Sequence, residues 1–329
     1  MKKQSIAFLT FAVIIIIAVI TFASLYLSQS IKKPVEPNSQ ITLALSSGNG
    51  CKSDQKYDST EKECYYECEN DCGLEDEKIE KEIDTLLKDA KITASEDEKS
   101  ETDKEIKTTY LFDNGNLEKD IVDPAQKQAW DYFLAIATRE FARENIALVS
   151  FYNNPKSDTM ASVSQNETNN QKWDLEINMK YGEDKPTLIF TLVHEFGHLY
   201  SLNKTQVPTD KIENCPTLRL EEGCPTNISL ISQFQNKFWK DIVADPNTNN
   251  YGEHYLNREN SFVSQYAGTN VLEDFAETLA FYAVKDDSEA IQIAKEKINF
   301  MNSNPKIKEM AVRIRTNLGR ELRDEKILN

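Results

Sequence analysis

Residues 191–203 read "TLVHEFGHLYSLN" and hold two of the chain's three histidines, His194 and His198, with Glu195 directly after the first. The lead-in "KPTLIFTLV" is almost wholly apolar, so the pattern predicts a buried helix starting at Pro186. Residues four apart share a helix face, which lets both imidazoles converge on one cation. Glu195 is rotated about 100° from His194, where it can reach a water beside the cation without ligating it. Leaving ionisable groups unpaired inside an apolar helix is costly, so a metal explains them better than satisfied core histidines do. The expectation is one Zn²⁺ per chain on His194 and His198, with Glu195 as general base.

Zinc needs a third protein ligand, with the fourth position left for water. Ser201 and Lys204 stand where the longer H-E-x-x-H-x-x-G-x-x-H pattern requires glycine and histidine, which excludes that class. His254, in "YGEHYLNREN", is the one histidine left and reads as a turn residue. The stretch "SQYAGTNVLEDFAETLAFY" offers Glu273, Asp274 and Glu277. Glu273 and Glu277 are four apart, so one can ligate while the other orients a ligand from behind; periodicity does not rank them.

"HEFGH" followed by "SQYAGTNVLEDFAE" resembles the catalytic domain of anthrax lethal factor and the related secreted Pro-Pro endopeptidases, zinc peptidases of the gluzincin type. The family pattern of tyrosine, Thr-Asn, ligand glutamate and Phe-Ala-Glu is matched by Tyr266, Thr269, Asn270, Glu273, Phe275, Ala276 and Glu277. The resemblance implies a zincin-like α+β domain and Glu273 as third ligand. It also implies that the Tyr266 hydroxyl donates to the oxyanion of the tetrahedral intermediate. Glu277 and Asp274 are then expected behind the ligands. The match covers about twenty positions, and substrate does not transfer with it. The gap from His198 to Glu273 leaves room for an insertion carrying "CPTLRLEEGCP", in which Cys215 and Cys224 are expected to form a disulfide near the cleft. The "EEGC" element invites comparison with the cysteine ligand of peptide deformylases, but here it follows the histidines and its cysteine has a disulfide partner to hand.

Upstream of the helix, "ALVSFYN", "TMASVSQ" and "WDLEINM" read as strands of a small mixed sheet. The last alternates Trp173, Leu175, Ile177 and Met179 on one face and is the expected edge against which an extended substrate pairs. "DPAQKQAWDYFLAIATREFARENI" reads as one helix capped by Asp123 with Pro124 at its first position. Further helices are expected at about 227–243, 270–285, 287–301 and 305–323, giving a helical C-terminal half.

Residues 107–329 are thus expected to be the metallopeptidase domain. Before it, residues 51–106 carry Cys51, Cys64, Cys68 and Cys72 and a helix over "EDEKIEKEIDTLLKDAK", with Ile79, Ile83, Leu86, Leu87 and Ala90 on one stripe. That stripe predicts docking on a domain or on a copy of itself. Residues 52–106 hold 20 acidic and 9 basic side chains, a large share of the chain's net −16. An acidic surface disfavours nucleic acid as a partner. Local cysteine clusters of even count suit an oxidising compartment; two disulfides are favoured over a cysteine zinc site. The stretch 31–50, rich in Pro, Ser, Asn and Gly, reads as a flexible linker.

Ile6–Leu27 carries no charge over 22 positions, about 33 Å as a helix against a hydrocarbon core of about 30 Å. Residues 1–30 are expected to be an uncleaved single-pass membrane anchor; a cleaved signal peptide is the competing reading, and would make the protein secreted. The combined expectation is a membrane-anchored, extracytoplasmic zinc endopeptidase acting on a protein or peptide, through a zinc-bound water activated by Glu195. The alternative is an inactive membrane-tethered adaptor with a degenerate peptidase fold, against which the intact Glu195 speaks.

Overall fold

The computed structural model describes residues 56–58, 63–65, 77–90, 105–113, 116–208, 214–242, 254–255, 258–285 and 292–327. All of them fall within one compact unit, Ser46–Asn329. The expected anchor at 6–27, the linker and the side chains of Cys51, Cys64, Cys68 and Cys72 lie outside the described residues. Among those described, no helix is long and apolar enough to cross a membrane.

A short antiparallel ribbon of β1 (Lys56–Asp58) and β2 (Glu63–Tyr65) precedes helix α1 (Glu77–Leu87). The main sheet follows: β3 (Glu105–Asp113), β4 (Asn116–Leu117), β5 (Ile146–Asn153), β6 (Ala161–Gln165) and β7 (Trp173–Asn178), in spatial order β4-β3-β5-β7-β6. Only β5 and β7 run parallel; the other pairs are antiparallel. The expected mixed sheet is present, but β7 lies inside it, paired through Val149↔Leu175 on one side and Val163↔Leu175 on the other. With both rows of backbone groups used, β7 has no free edge for a substrate; β6 holds that position.

Helices α2 (Pro124–Ala137) and α3 (Arg139–Asn145) replace the single helix expected over 123–146. Asp123 caps α2 as expected, accepting from the amides of Ala125 and Gln126 at 3.0 Å. The break is at Thr138, whose φ of 80° cannot continue a right-handed helix. Its hydroxyl caps α3 by accepting from Phe141 N at 3.2 Å. The motif helix α4 (Lys185–Leu202) starts behind Asp184, and buries Leu188, Ile189, Leu192, Val193, Phe196 and Leu199. The helical second half holds α5 (Leu230–Phe234) with a π-turn to Trp239, α6 (Val271–Val284), α7 (Gln292–Ser303) and α8 (Pro305–Asp324).

Helix α4 packs on α6, α2 and strand β6, and α8 closes the rear against α2 and α6. Helix α1 docks onto α4, α6 and α8. Its Ile83, Leu87 and Ala90 are buried, Asp84 meets Arg315 at 2.7 Å, and Lys285 Nζ bonds the carbonyls of Lys88 and Ala90. The apolar stripe therefore docks on the domain. The expected boundary near 106 falls inside β3, which pairs Glu105 with Asn153.

Candidate metal centre

Helix α4 carries His194 and His198 one turn apart, and the first turn of α6 brings Glu273 to them. Asn270 sets that turn: its side chain caps α6 by accepting from Leu272 N at 2.8 Å and Glu273 N at 3.0 Å. The segment before it is held by His254 N–H donating to Gly268 O at 3.1 Å, and a Cβ at Gly268 would stand 2.7 Å from the Tyr255 backbone. His254 itself packs edge-on against Trp239, with ring centroids 5.4 Å apart, in keeping with a structural role.

His194 Nε2 and His198 Nε2 are 3.0 Å apart, and Glu273 Oε2 lies 3.0 Å from the first and 3.2 Å from the second. Ligands about 2.0–2.1 Å from a tetrahedral Zn²⁺ stand about 3.3 Å from one another. The triad therefore fits a zinc-sized ion with little adjustment. Tautomer chemistry agrees. His194 Nδ1 is 3.0 Å from Glu277 Oε1, a carboxylate that can only accept. Nδ1 thus carries a hydrogen, and once Nε2 gives up its own proton its lone pair faces a second imidazole nitrogen and a carboxylate. Two imidazole nitrogens and a carboxylate at this spacing can share one cation. No other such group of metal-capable side chains occurs among the described residues.

The electrostatics carry the same signature. Burial opposes charge on His194, but Glu273 and Glu277 outweigh it and push the imidazole up to about 10, so a metal bound at Nε2 would take the place of a proton. Glu273 is held below the ordinary carboxylate range because His198 and His194 overcome its desolvation.

Glu195 is buried, and that burial, opposed by the two histidines, pushes its carboxyl up to about 7. The backbone N–H of Val163 on edge strand β6 donates to it. Tyr266 stacks obliquely on His194, centroids 5.6 Å apart, and hydrogen-bonds Glu273. Burial followed by the charges of Glu273, Glu195 and Glu277 raises its hydroxyl well above its usual value, so it stays a donor.

Glu277 Oε1 lies 3.0 Å from His194 Nδ1, whereas Asp274 does not join it. One residue beyond Glu273, it turns away from the histidines: its Oδ2 accepts from Trp239 Nε1 at 2.7 Å and Lys297 Nζ at 2.6 Å. Lys297 in turn lies 4.0 Å above the Phe262 ring. Asp274 is thus half of a buried ion pair tying α6 to α7 and the π-turn. Cys224 is bonded to Cys215 and so is no thiolate ligand. That loop touches β6 through Gln165 Nε2, which donates to Glu222 O at 3.3 Å.

Reasoning from sequence missed Ser264, the Val163 amide and Lys297. Ser264 Oγ donates to Glu277 Oε2 at 2.5 Å and accepts from Ala267 N at 3.0 Å.

Fold and site together define an α+β protein with a His-His-Glu metal-capable cluster between two packed helices. The sequence matches no protein-family model and no curated protein. Among solved structures, it is similar to one from Bacteroides caccae described provisionally as a zinc-binding metallo-peptidase, at 14% identity and a TM-score of 0.35, covering 61% of this chain and 76% of that one. The likeness is too distant to transfer a fold or an activity.

Proposed function

We propose that the chain is a zinc-dependent endopeptidase. The observation that carries this reading is the convergence of His194 Nε2, His198 Nε2 and Glu273 Oε2 within 3.0–3.2 Å of one another, with the Glu195 carboxylate buried on the same helix. His194, His198 and Glu273 would hold a zinc ion, which would supply a Lewis acid to acidify water and polarise a carbonyl. Glu195 takes the proton from the attacking water and returns it to the departing amine; a carboxyl poised near neutrality serves both steps. Tyr266, kept protonated, donates to the oxyanion that develops on the scissile carbonyl. Strand β6 is the sheet edge beside Glu195 among the described residues, and we assign it the alignment of an extended peptide.

The decisive variant is Glu195→Gln. It is isosteric and removes no ligand, so zinc should remain bound at one per chain while cleavage of a peptide library disappears. A zinc-loaded Glu195→Gln protein that still turns over would overturn the assignment.

We further propose that residues 6–27 anchor the protein in a membrane with its body on the oxidising side. The uncharged run and the Cys215–Cys224 disulfide support this. Carbonate-washed membranes that retain the protein, with the body open to external protease, are the expected result; a fully soluble chain would refute it.

A further inference from the structure

Ser264 has no place among the ligands, yet its hydroxyl touches both halves of the centre. As a donor it binds Glu277 Oε2 at 2.5 Å, and the other oxygen of that carboxylate faces His194 Nδ1 at 3.0 Å. As an acceptor it receives Ala267 N–H at 3.0 Å, the amide following Tyr266. One hydroxyl therefore fixes the carboxylate that sets the His194 tautomer and, independently, closes the turn on which the acid Tyr266 is mounted. A carboxylate with one oxygen unsatisfied can rotate about its terminal torsion, which is broad and roughly two-fold. With Oε2 held by Ser264, Oε1 has one orientation, the one that keeps hydrogen on His194 Nδ1 and the Nε2 lone pair toward the triad. Glu277 is buried, its side chain 2% exposed, so solvent offers little alternative donor.

We propose that Ser264 is a positioning residue that couples the zinc ligand His194 to the oxyanion donor Tyr266 through Glu277. This rests on the zinc reading above and adds the regulation of ligand geometry by a residue outside the motif. Outer partners of metal-bound histidines change metal affinity by about 10–100-fold when removed. A hydroxyl one step further out is expected at the lower end of that range.

The test uses the full chain. Zinc affinity is measured by competition with a chromophoric chelator, and the Co²⁺-loaded protein gives a d–d absorption spectrum that reports ligand geometry. Ser264→Ala should raise the zinc dissociation constant roughly tenfold and shift the Co²⁺ bands. Its kcat should fall more than its KM changes, because both coupled groups act on the reacting centre rather than on distant substrate contacts. Ser264→Thr, which keeps the hydroxyl, should restore all three. In a cycle with Glu277→Gln, the serine change should cost little extra zinc affinity, because the chain is already broken; additive losses would show that the two act separately. Ser264→Ala with zinc affinity and Co²⁺ spectrum equal to the parent sinks the coupling while leaving the peptidase reading intact. A parent that binds neither metal sinks the reading itself, and the coupling with it. If Ser264→Ala does not fold, the Thr variant and the Glu277→Gln protein decide: a Co²⁺ spectrum unchanged by Glu277→Gln refutes the chain at its middle link.

Discussion

Gly197, between Glu195 and the second histidine, decides how near the two ligand-bearing helices can come. A Cβ there would stand 3.0 Å from Ala276 Cα and 3.3 Å from its Cβ, so α4 and α6 meet backbone to backbone at the level of the triad. That approach brings Glu273 within 3.2 Å of both imidazoles. Gly197→Ala should therefore separate the helices by a few tenths of an ångström, with a stability loss of about 1–3 kcal/mol and weaker zinc binding. A thermal melt and a chelator titration check both effects, and unchanged affinity would show the spacing to be slack. Lys297 gives a second expectation. It neutralises Asp274 inside the core, both side chains being 2% exposed or less. Lys297→Met strands a buried carboxylate, so about 3–5 kcal/mol should be lost in urea unfolding, and Lys297→Met with Asp274→Leu should recover much of it. At this scale the sequence was legible where the chemistry is local. His194, Glu195 and His198 are fixed by a four-residue helical spacing, which holds wherever the helix goes. Glu273 could be chosen over Glu277 and Asp274 only by resemblance, because which of three neighbouring acids faces α4 is set by how α6 packs. Ser264 and Lys297 make contacts 13 and 23 residues away in sequence, on other elements, and no period announces them.

Among elements, strand and helix identities were more legible than their neighbours. Alternation of Trp173, Leu175 and Ile177 marks a strand with one buried face, but the strand ends before Met179, which starts a 3-10 turn. It says nothing about whether the backbone on either side is paired, and β7 turned out to be interior. The edge is β6, whose Ser162, Ser164 and Gln165 carry no apolar alternation strong enough to rank it. The helix expected over 123–146 was interrupted because Thr138 adopts a left-handed φ that propensity does not foresee. The stripe on α1 predicted a docked helix without saying on what. Its docking is a testable part of the stability. Ile83 and Leu87 are both fully buried, so Ile83→Ala or Leu87→Ala in the whole chain should cost about 2–4 kcal/mol. Equilibrium unfolding measures this directly; a detached stalk helix would leave the domain's transition where it was.

The whole molecule carries net charge −16, and one place where like charges crowd is the seam between α2 and α8. Tyr132 donates to Glu325 at 2.6 Å, Lys185 reaches the same carboxylate at 3.2 Å, and Lys127 holds Asp131 at 2.6 Å. Glu321 sits among them with burial as the main cause, then Asp131 and Glu325, pushing its carboxyl from 4.5 up to about 7. The sign follows from linkage. The folded chain holds this proton more tightly than the unfolded chain does, so stability from this group is complete below about pH 4.5 and is lost as pH rises through about 7. Because the side chain is partly solvated, the loss should be about 1–2 kcal/mol rather than the full amount the shift implies. Glu321→Gln removes the titration while keeping the volume. Unfolding free energies of the parent and Glu321→Gln should therefore differ little at pH 5 and diverge by pH 8, with the variant the more stable there. The comparison isolates one carboxyl, since every other acidic group titrates in both proteins. Curves that stay parallel across this window would mean that Glu321 is ionised at no cost, its neighbours screened by water rather than gathered against it.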